Sequence, residues 1–351
     1  MRKLKLGVVG CGVIGPHHMK GSAASTTIDL VAVADLIEER GRSKAAEFRA
    51  PKVYREGIDL IRDPEVEAVV LAFPAGKRAE LAYEAFRLGK HVLVEKPGAV
   101  SAAEVEKMMA LRGERVGACC SSRYKFLPSF EAARELVASG ALGEIREIYC
   151  RALGAAGPAP AEDPPSWRVS RAQNGGGILV NWSPYDLDYL LSVACWTVKP
   201  RSVFAHTWPV APHLAKRVDP RSDAENHYVA LIRCEGGAVI HIERGEFTSS
   251  QTENAWQIIG SRASLRLHMT GTETKRIWLD ETDAVAGVTS RVVWEGAEDM
   301  ELVYNGPVLD FAEAALYRRP PKTDLGQTLV IQRIFDAIYA SAASGKLAHI
   351  A

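Results

Sequence analysis

The sequence of 351 residues has no excess charge of either sign and no long apolar run. Lysine and arginine together number 43, as do aspartate and glutamate, so there is no surplus of positive charge for binding nucleic acid. No uninterrupted apolar stretch approaches the about 18 residues of a membrane-spanning helix. The first residues lead directly into a strand pattern, without a signal-peptide core. We therefore expect a soluble, cytoplasmic protein that binds neither nucleic acid nor a membrane.

Metal-binding patterns are also lacking. The six cysteines form no Cys-x-x-Cys pair, and no histidine stands at a metal-ligand spacing from them. We interpret them as buried thiols and predict no metal centre. His17 and His18, near the start of the first predicted helix, are interpreted as surface or packing residues.

Apolar runs and helical segments alternate over the first part of the chain. The runs span residues 4–9, 28–34, 66–72, 91–94 and 116–120, and a helical pattern covers 102–111. Such alternation is typical of a parallel sheet that is covered on both faces. Because the chain exceeds the roughly 100–200 residues of one domain, we assign residues 1–122 to an α/β domain with a doubly wound parallel sheet.

The later part of the chain follows a different pattern. Ala263, Leu265 and Leu267 alternate with polar residues, as in a half-buried strand. The runs over 228–234 and 238–244 flank Glu235-Gly236-Gly237, which is a hairpin signal. Further strands are expected at 202–206, 256–259 and 275–279, and a final helix around 331–338. We assign residues 123–351 to an α+β domain with an open, largely antiparallel β-sheet.

A glycine-rich turn follows the first strand. Gly10-Cys11-Gly12-Val13-Ile14-Gly15 has the pattern G-x-G-x-x-G between a strand and a helix. The first glycine permits a tight turn, the second lets the main chain approach a diphosphate, and the third lets the helix pack on the strand. Asp35 follows Gly15 by twenty residues at a strand end, where a carboxylate can bind the adenosine ribose hydroxyls. We predict a Rossmann domain that binds NAD through Gly10, Gly12, Val13, Ile14, Gly15 and Asp35.

The charges near Asp35 leave a second cofactor open. The carboxylate would repel a 2′-phosphate, which favours NAD over NADP. Arg40, Arg42 and Lys44 lie just downstream and could bind such a phosphate, although the acidic residues among them also fit the solvated face of a helix. We predict NAD, with NADP as the less favoured cofactor.

Glu95-Lys96-Pro97 comes directly after the predicted strand at 91–94. Ligands of open parallel sheets bind outside the carboxyl ends of the strands. A lysine at this edge could donate a hydrogen bond to a substrate oxygen, or lower the pKa of an alcohol that is being oxidised. For a single lysine at a strand end, an ordinary surface charge is the competing interpretation.

Taken together, these motifs resemble the glucose–fructose oxidoreductase, inositol dehydrogenase and rhizopine-catabolism (Gfo/Idh/MocA) oxidoreductases. The resemblance covers nearly the whole chain. It rests on the glycine turn, Asp35, Ala72-Phe73-Pro74, Glu95-Lys96-Pro97, Ser122-Arg123-Tyr124 and Gly175-Gly176-Gly177. Phe73 stands where the family usually has threonine, and Ala75 where it usually has asparagine.

The resemblance implies an NAD(P)-dependent oxidoreductase with a catalytic Lys96. It places Phe73, Pro74, Glu95 and Lys96 in the cofactor site, and Lys96 and Arg123 in the substrate site. It also implies a final helix that returns toward the first domain and an open sheet that joins copies into a dimer or tetramer. An exposed sheet favours such self-association on physical grounds as well.

The chain departs from the family pattern after the glycine triplet. Family members commonly have aspartate and, four residues later, histidine, whereas this chain has Asn181 and Tyr185. Residues four apart share one face of a helix. Tyr185 could act as a general acid or base, because a neighbouring ammonium such as that of Lys96 stabilises a phenolate. Asn181 carries no proton and would orient a substrate hydroxyl. The alternative is that both are packing residues of a relic site.

The segment from Gly154 to Gly176 is long for a connection, and segments of this kind are usually functional or disordered. Within it, Trp167-Arg168 resembles a pair often found before the glycine triplet. Trp167 could stack on a sugar-like ring, and Arg168 could bind its hydroxyls or a carboxylate. An anchoring role for the loop is an equal alternative.

The resulting hypothesis is a dehydrogenase that transfers hydride between nicotinamide and a secondary alcohol or ketone of a sugar, cyclitol or related polyol. Lys96, with Tyr185, would handle the hydroxyl proton, and Asn181 would complete the catalytic group. Two alternatives stay open. One is a glycoside-cleaving enzyme of the same fold that holds NAD, and the other is a non-catalytic protein that binds NAD and senses a sugar.

Overall fold

The computed structural model describes residues 2–162, 164–270 and 274–350. The chain packs as two compact units. Unit 1 comprises Met1–Arg123 and Glu301–Gln332, and unit 2 comprises Tyr124–Met300 and Arg333–Ala351. Neither unit is one continuous stretch, because residues 301–332 belong to unit 1. The assignment of domains to residues 1–122 and 123–351 stays a prediction.

The helices and strands are numbered in chain order. The strands are β1 (Leu4–Val9), β2 (Ile28–Ala34), β3 (Lys52–Tyr54), β4 (Ala68–Leu71), β5 (His91–Val94), β6 (Gly117–Cys119), β7 (Ile145–Ala155), β8 (Pro200–Trp208), β9 (His227–Cys234), β10 (Val239–Thr248), β11 (Glu253–Gly260), β12 (Ala263–Leu267), β13 (Lys275–Asp283), β14 (Gly287–Gly296) and β15 (Ala348–His349). The helices are α1 (Gly15–Ala24), α2 (Glu38–Phe48), α3 (Gly57–Arg62), α4 (Arg78–Arg87), α5 (Ala102–Leu111), α6 (Pro128–Ala138), α7 (Arg171–Asn174), α8 (Ile178–Val193), α9 (Glu301–Tyr317) and α10 (Leu325–Ser344).

The sheet of unit 1, in the described part of the chain, has six parallel strands in the order β3-β2-β1-β4-β5-β6. This order reverses between β1 and β4, and doubly wound sheets bind their ligands at that reversal. The predicted parallel Rossmann sheet is confirmed. The edge strand β3 has no counterpart in the sequence pattern, because three residues are too few to show a periodicity.

Apolar side chains cover both faces of this sheet. Val70 and Leu71 are consecutive in β4 and therefore point to opposite faces. Leu71 lies in a buried cluster with Leu60 of α3 and Phe86 of α4. Val70 lies in a second cluster with Phe311 of α9. Burial on both faces explains why the strands of unit 1 are almost continuously apolar.

Helix α9 is the element of unit 1 that the sequence pattern conceals. Asn305-Gly306-Pro307 interrupts its helical periodicity, because glycine and proline are poor helix formers. The helix nevertheless packs on α1, and Val308 and Phe311 are fully buried. Burial in the tertiary structure therefore outweighs the low local propensity.

Unit 2 contains a nine-stranded sheet, counted over the residues that the structure describes. Its order is β14-β13-β12-β11-β7-β10-β9-β8-β15. All neighbouring strands are antiparallel except β7 and β10, which are parallel. The predicted open, largely antiparallel sheet is confirmed. The strand β7, which lies in the middle of the sheet, is absent from the sequence-based assignment.

The two faces of this second sheet differ. Helix α8 packs on one face, where Ser183 is hydrogen-bonded to Tyr228 of β9. On the other face a row of side chains runs across five strands, from Phe204 through Leu231, His241 and Tyr149 to Gln257. Phe204 is 54% exposed and Leu231 51%. We call this the outer face of the sheet.

The fold also bears on the long segment before α8. The segment 154–176 is only partly a loop, since β7 extends to Ala155 and α7 covers Arg171–Asn174. No helix among the described residues combines the length and apolar character needed to span a bilayer.

Candidate active site

The glycine turn after β1 has two closely packed positions and one open position. A Cβ atom on Gly10, whose φ is +96°, would lie 2.4 Å from the carbonyl oxygen of Ala72. A Cβ on Gly15 would lie 1.9 Å from the carbonyl oxygen of Gly10. At Gly12, by contrast, a Cβ would meet nothing within 4 Å. The turn therefore leaves its main chain accessible at Gly12, which fits the close approach of a diphosphate. Val13, the next residue, is 90% exposed.

Asp35, at the end of β2, is joined to this turn directly. Its carboxylate accepts hydrogen bonds from the main-chain N–H groups of Cys11 and Ile37, each at 2.8 Å. It also accepts two from the guanidinium of Arg40, at 2.9 and 2.7 Å. Burial alone would raise the pKa of Asp35, but the hydrogen bonds from Arg40, Ile37 and Cys11 outweigh burial and hold the pKa below its ordinary value. The carboxylate is therefore ionised and fixes the turn relative to α2.

The strand ends of β4 and β5 are held together by Arg78, a residue that sequence analysis missed. Its guanidinium is completely buried and donates hydrogen bonds to the carbonyl oxygens of Phe73, Glu95 and Pro97. The Nε–O distance to Phe73 is 3.0 Å. An isolated arginine at the start of a helix gives no signal in the sequence. Its effect is to fix the main chain on both sides of Lys96.

Glu95 is the centre of a buried ion-pair network. Its Oε1 atom accepts from His18 Nε2 at 2.8 Å and from the guanidinium of Arg123 at 2.5 Å. Its Oε2 atom accepts from the main-chain N–H of Lys96 at 3.1 Å. Burial would raise the pKa of Glu95, but the charge of Arg123 and the hydrogen bond from His18 keep it well below its usual range. The peptide bond between Lys96 and Pro97 is cis.

This network adds a hydrogen bond to the packing interpretation of His18. His18 is fully buried, and its ring is hydrogen-bonded to Glu95 in addition to packing in α1. Arg123 is placed beside Glu95, and its guanidinium lies 5.7 Å from the ring centre of Tyr304. The assignment of Arg123 to substrate binding stays a prediction.

Three potential metal ligands meet in the same network. His18, Glu95 and Cys120 each offer an atom, and these atoms lie within 4.8 Å of one another. The same Glu95 oxygen, however, already accepts from the positively charged Arg123. Burial and the charge of Glu95 raise the pKa of Cys120 well above its ordinary value, so its sulfur stays a thiol. We therefore interpret the group as an ion-pair network, since a cation would have to displace both the guanidinium and a proton.

In unit 2, the candidate residues Asn181 and Tyr185 lie on α8, and a buried carboxylate holds the start of that helix. Glu225 Oε1 accepts hydrogen bonds from the N–H groups of Gly177 and Leu179, at 3.1 and 3.0 Å, and from the Tyr339 hydroxyl at 3.1 Å. Burial raises the pKa of Glu225. Sequence analysis missed this residue because it is 46 positions or more from each of these three groups.

The glycine triplet before α8 is closely packed. A Cβ on Gly176 would lie 1.8 Å from the hydroxyl oxygen of Tyr339, and a Cβ on Gly177 would lie 1.7 Å from the carbonyl oxygen of Glu225. Side chains larger than hydrogen would therefore push α8 away from its carboxylate.

Tyr185 is buried among aromatic rings of unit 2. Its ring contacts Tyr124 and Trp182 edge-on, with centroid distances of 5.5 and 5.8 Å. The guanidinium of Arg244 lies 4.7 Å from the ring centre of Trp182 and makes a bidentate ion pair with the buried Asp186. These contacts fix the face of α8 that carries Tyr185.

Trp167 and Arg168 lie apart from α8 in sequence and belong to the segment before α7. The guanidinium of Arg168 is paired with Glu246 of β10 at 2.5 Å, and Trp167 is 37% exposed. The ion pair agrees with the anchoring interpretation of Arg168. Substrate binding by either residue stays a prediction.

Two family models match this chain. "Oxidoreductase family, NAD-binding Rossmann fold" matches residues 4–121, and "GFO/IDH/MocA C-terminal domain" matches residues 130–266. Among curated relatives, dTDP-3,4-didehydro-2,6-dideoxy-alpha-D-glucose 3-reductase of Streptomyces violaceoruber is 35% identical over 53% of this chain and 53% of its own length. Inositol 2-dehydrogenase 2 of Saccharopolyspora erythraea is 27% identical over 78% of this chain and 76% of its own.

Solved structures show the same fold. An oxidoreductase domain protein from Kribbella flavida has a TM-score of 0.86 at 22% identity, with both chains covered completely. Levoglucosan dehydrogenase in complex with NADH has a TM-score of 0.84 at 21% identity, again over the whole of both chains.

Proposed function

The chain belongs to the Gfo/Idh/MocA family of NAD-binding oxidoreductases, and from this we propose that it is a dehydrogenase or reductase of a sugar, cyclitol or related polyol. The names of its relatives, which include inositol dehydrogenases and a sugar 3-reductase, support this substrate class. The reaction would interconvert a secondary alcohol and a ketone. When bound, NAD supplies the hydride acceptor and NADH the hydride donor.

The observation that carries the proposal is the position of Lys96. It follows β5 at the same sheet edge as the glycine turn after β1, Asp35 after β2 and Phe73 after β4. Because parallel strands share their carboxyl edge, these groups belong to one ligand-binding edge. Glu95 and Arg78 fix the main chain of Lys96 from both sides. The main chain of this half-buried lysine is fixed by two buried ionic side chains, which supports a catalytic role for Lys96.

We propose the following roles for the candidate catalytic residues. The ammonium of Lys96 donates a hydrogen bond to the substrate oxygen and so stabilises the negative charge that develops there. The phenol of Tyr185 exchanges the hydroxyl proton, and the amide of Asn181 orients the substrate. Gly10, Gly12, Val13, Ile14, Gly15, Asp35, Phe73, Pro74, Glu95 and Lys96 are assigned to the cofactor site.

The test combines a panel of inositols, anhydrosugars and aldoses with NAD, and follows the absorbance of reduced nicotinamide. We expect turnover with one class of polyol and a loss of about 10²–10⁴-fold in kcat for Lys96→Met. Lys96→Arg is the matched control that keeps the charge, and Tyr185→Phe removes only the phenolic hydroxyl. Binding of NADH, followed by its fluorescence, should survive in all three variants.

Several results would contradict this proposal. Undiminished turnover by Lys96→Met would remove Lys96 from the mechanism. Sugar release without a net change in nicotinamide absorbance would favour glycoside cleavage. NAD binding without turnover of any polyol would favour a sensor.

We also propose that copies of this chain associate through the outer face of the unit 2 sheet. Phe204 and Leu231 are neighbours across β8 and β9 and are each about half exposed. Light scattering after size-exclusion chromatography should give a dimer or tetramer for the wild type and a smaller mass for Leu231→Glu. A monomeric wild type would overturn the proposal.

A further inference from the structure

Helix α8 is buried along its whole length except at two adjacent residues. Of its 16 residues, only Asn181 and Trp182 are partly exposed, and all the others are buried. Tyr185, the candidate for proton exchange, follows Trp182 by three positions, which places the two side chains side by side on the helix surface. The one opening in the packing of α8 therefore lies beside the candidate catalytic residue, and the indole of Trp182 borders it.

Groups of unit 2 fix the orientation of this indole. The guanidinium of Arg244 lies 4.7 Å from the ring centre of Trp182, and the ring of Tyr185 meets the indole edge-on at 5.8 Å. Arg244 is held by its two hydrogen bonds to the buried Asp186, at 2.6 and 2.9 Å, and Asp186 also accepts from the indole N–H of Trp256 at 2.9 Å. Because Arg244 covers one face of the Trp182 ring, its accessible surface lies on the opposite face and at the rim.

The open face of an indole suits a particular kind of ligand. Its partial negative charge attracts C–H groups, and its area is apolar. A sugar or cyclitol ring with equatorial hydroxyls exposes its axial C–H groups on both flat sides and is rigid, so it can stack without loss of internal freedom. An open-chain polyol must first lose rotational freedom to present such a surface. The charge of Arg244 is compensated by Asp186, so this surface gives no advantage to an anionic sugar.

A second tryptophan shows that contact with an arginine is not enough to make a binding surface. The guanidinium of Arg266 lies 5.1 Å from the ring centre of Trp278, and Arg266 makes two hydrogen bonds to Asp280, at 2.8 and 2.9 Å. The same arrangement of side chains thus occurs on β12 and β13, which carry no candidate catalytic residue. Trp182 differs in its position beside Tyr185, and Trp278 provides a matched control.

We propose that Trp182 is a specificity-determining residue, whose indole stacks on the C–H face of a ring-shaped polyol and so selects such rings over open-chain polyols. The inference rests on the proposed function, because it takes the opening beside Tyr185 to be the substrate site. Trp182 was not singled out by the sequence analysis, since only its position between two candidate residues marks it.

The test measures binding of polyols to the complex of the protein with NADH by calorimetry, which requires no turnover. The ring polyols are scyllo-inositol, myo-inositol and 1,5-anhydroglucitol, and the open-chain polyol is glucitol. For the wild type we expect the tightest-binding ring polyol to exceed glucitol about tenfold or more in affinity. Trp182→Leu should weaken that ring polyol about tenfold and glucitol by less than about twofold, because the stacking surface is lost. Trp182→Phe keeps a smaller aromatic face and should be intermediate.

Trp278→Leu is the control, since it removes an indole with the same kind of arginine contact, and its affinities should stay within about twofold of the wild type. With a polyol that is turned over, Trp182→Leu should raise KM about tenfold and change kcat by less than about threefold, because Trp182 stacks on the ring and exchanges no proton.

Four results would overturn the inference. They are a wild type that binds no ring polyol, an unchanged ring affinity in Trp182→Leu, an equal weakening of ring polyols and glucitol, and an equal effect of Trp278→Leu. Failure of the proposed dehydrogenase function is a separate outcome. If no polyol is turned over but Trp182→Leu selectively weakens the binding of rings, the role of Trp182 stands and the dehydrogenase proposal fails.

Discussion

The protein contains two glycine-rich segments that each precede a helix, and they serve opposite purposes. In unit 1 the turn from Gly10 to Gly15 leads into α1, and in unit 2 the triplet Gly175-Gly176-Gly177 leads into α8. In both, a carboxylate from another part of the chain accepts a main-chain N–H group of the segment. Asp35 has this role in unit 1 and Glu225 in unit 2.

The difference lies in what occupies the space beside the glycines. Gly12 faces an open space, whereas Gly176 and Gly177 face a tyrosine hydroxyl and a main-chain carbonyl of the protein. Asp35 has a lowered pKa, while burial raises that of Glu225. The first segment thus leaves space beside its main chain, and the second is packed closely against the protein. A glycine motif in a sequence does not reveal which of the two it is.

Substitution of the glycines by alanine should give the largest difference between the two segments, in stability for one and in nucleotide affinity for the other. Gly177→Ala places a Cβ 1.7 Å from a carbonyl oxygen, so we expect a loss of about 3 kcal/mol or more in the free energy of unfolding. Gly12→Ala should leave the melting temperature unchanged but weaken NADH binding about tenfold or more, because the methyl group occupies space for the diphosphate. Thermal denaturation and nucleotide titration check both. A stable Gly177→Ala variant would contradict the comparison.

Removal of the carboxylate in unit 2 should have the next largest effect. Glu225→Ala leaves the N–H groups of Gly177 and Leu179 and the Tyr339 hydroxyl without their acceptor, which should cost about 3 kcal/mol. Glu225→Gln keeps an acceptor oxygen and should cost about 1 kcal/mol. Urea denaturation measures both values. Equal losses in the two variants would mean that the charge of Glu225, and not its acceptor oxygen, holds α8.

Substitution of His18 tests whether α1 stabilises the ion-pair network around Glu95. His18→Ala removes the donor at 2.8 Å from Glu95 and should lower the free energy of unfolding by about 2 kcal/mol, without a change in NADH affinity. His18→Gln keeps a donor and should recover part of the loss. If His18→Ala is as stable as the wild type, the network around Glu95 does not depend on α1.

The smallest effect that we expect is an opposite pH dependence of two buried groups, one in each unit. Burial lowers the pKa of His91 in unit 1 from 6.5 to about 4, and its Nδ1 accepts the N–H of Val116 at 3.0 Å. Between these two pH values the unfolded chain binds the proton and the folded chain does not, so the contribution of His91 to stability is lost in acid. Glu225 has a raised pKa, so the folded chain binds its proton first and the contribution of Glu225 to stability grows as the pH falls.

The pH dependence of urea denaturation measures this difference. Relative to the wild type, His91→Asn should lose less stability as the pH falls from 6.5 to 4, and Glu225→Gln should lose more, because its compensating protonation is gone. Parallel curves for the wild type and both variants would show that neither group is linked to folding.

The fold of unit 1 was largely predictable from sequence. The bounds of β2, β5 and α5 agree with the apolar patterns to the residue, because strands that are buried on both faces leave an uninterrupted signal. The strand β7 was not predicted, because Arg146, Glu147 and Arg151 interrupt its apolar residues. Helix α9 was not predicted, because Pro307 lies inside it.

The candidate site was predictable only where it is local in sequence. The glycine turn, Asp35 and Lys96 follow strands at fixed offsets, so the pattern identifies them. Arg78, His18 and Glu225 act through partners that are distant in sequence, and no local spacing marks them. The role of each residue is recognised only from its hydrogen bond to a group that is distant in sequence.

The interleaving of the two units along the chain has a consequence for synthesis. Val308 and Phe311, which are buried in unit 1, follow almost all of the residues of unit 2. A ribosome therefore releases the strands of the first sheet long before the helix that covers them. The first sheet therefore stays incompletely covered while some 180 further residues are synthesised. A nascent chain arrested before residue 301 should stay sensitive to protease across its first hundred residues.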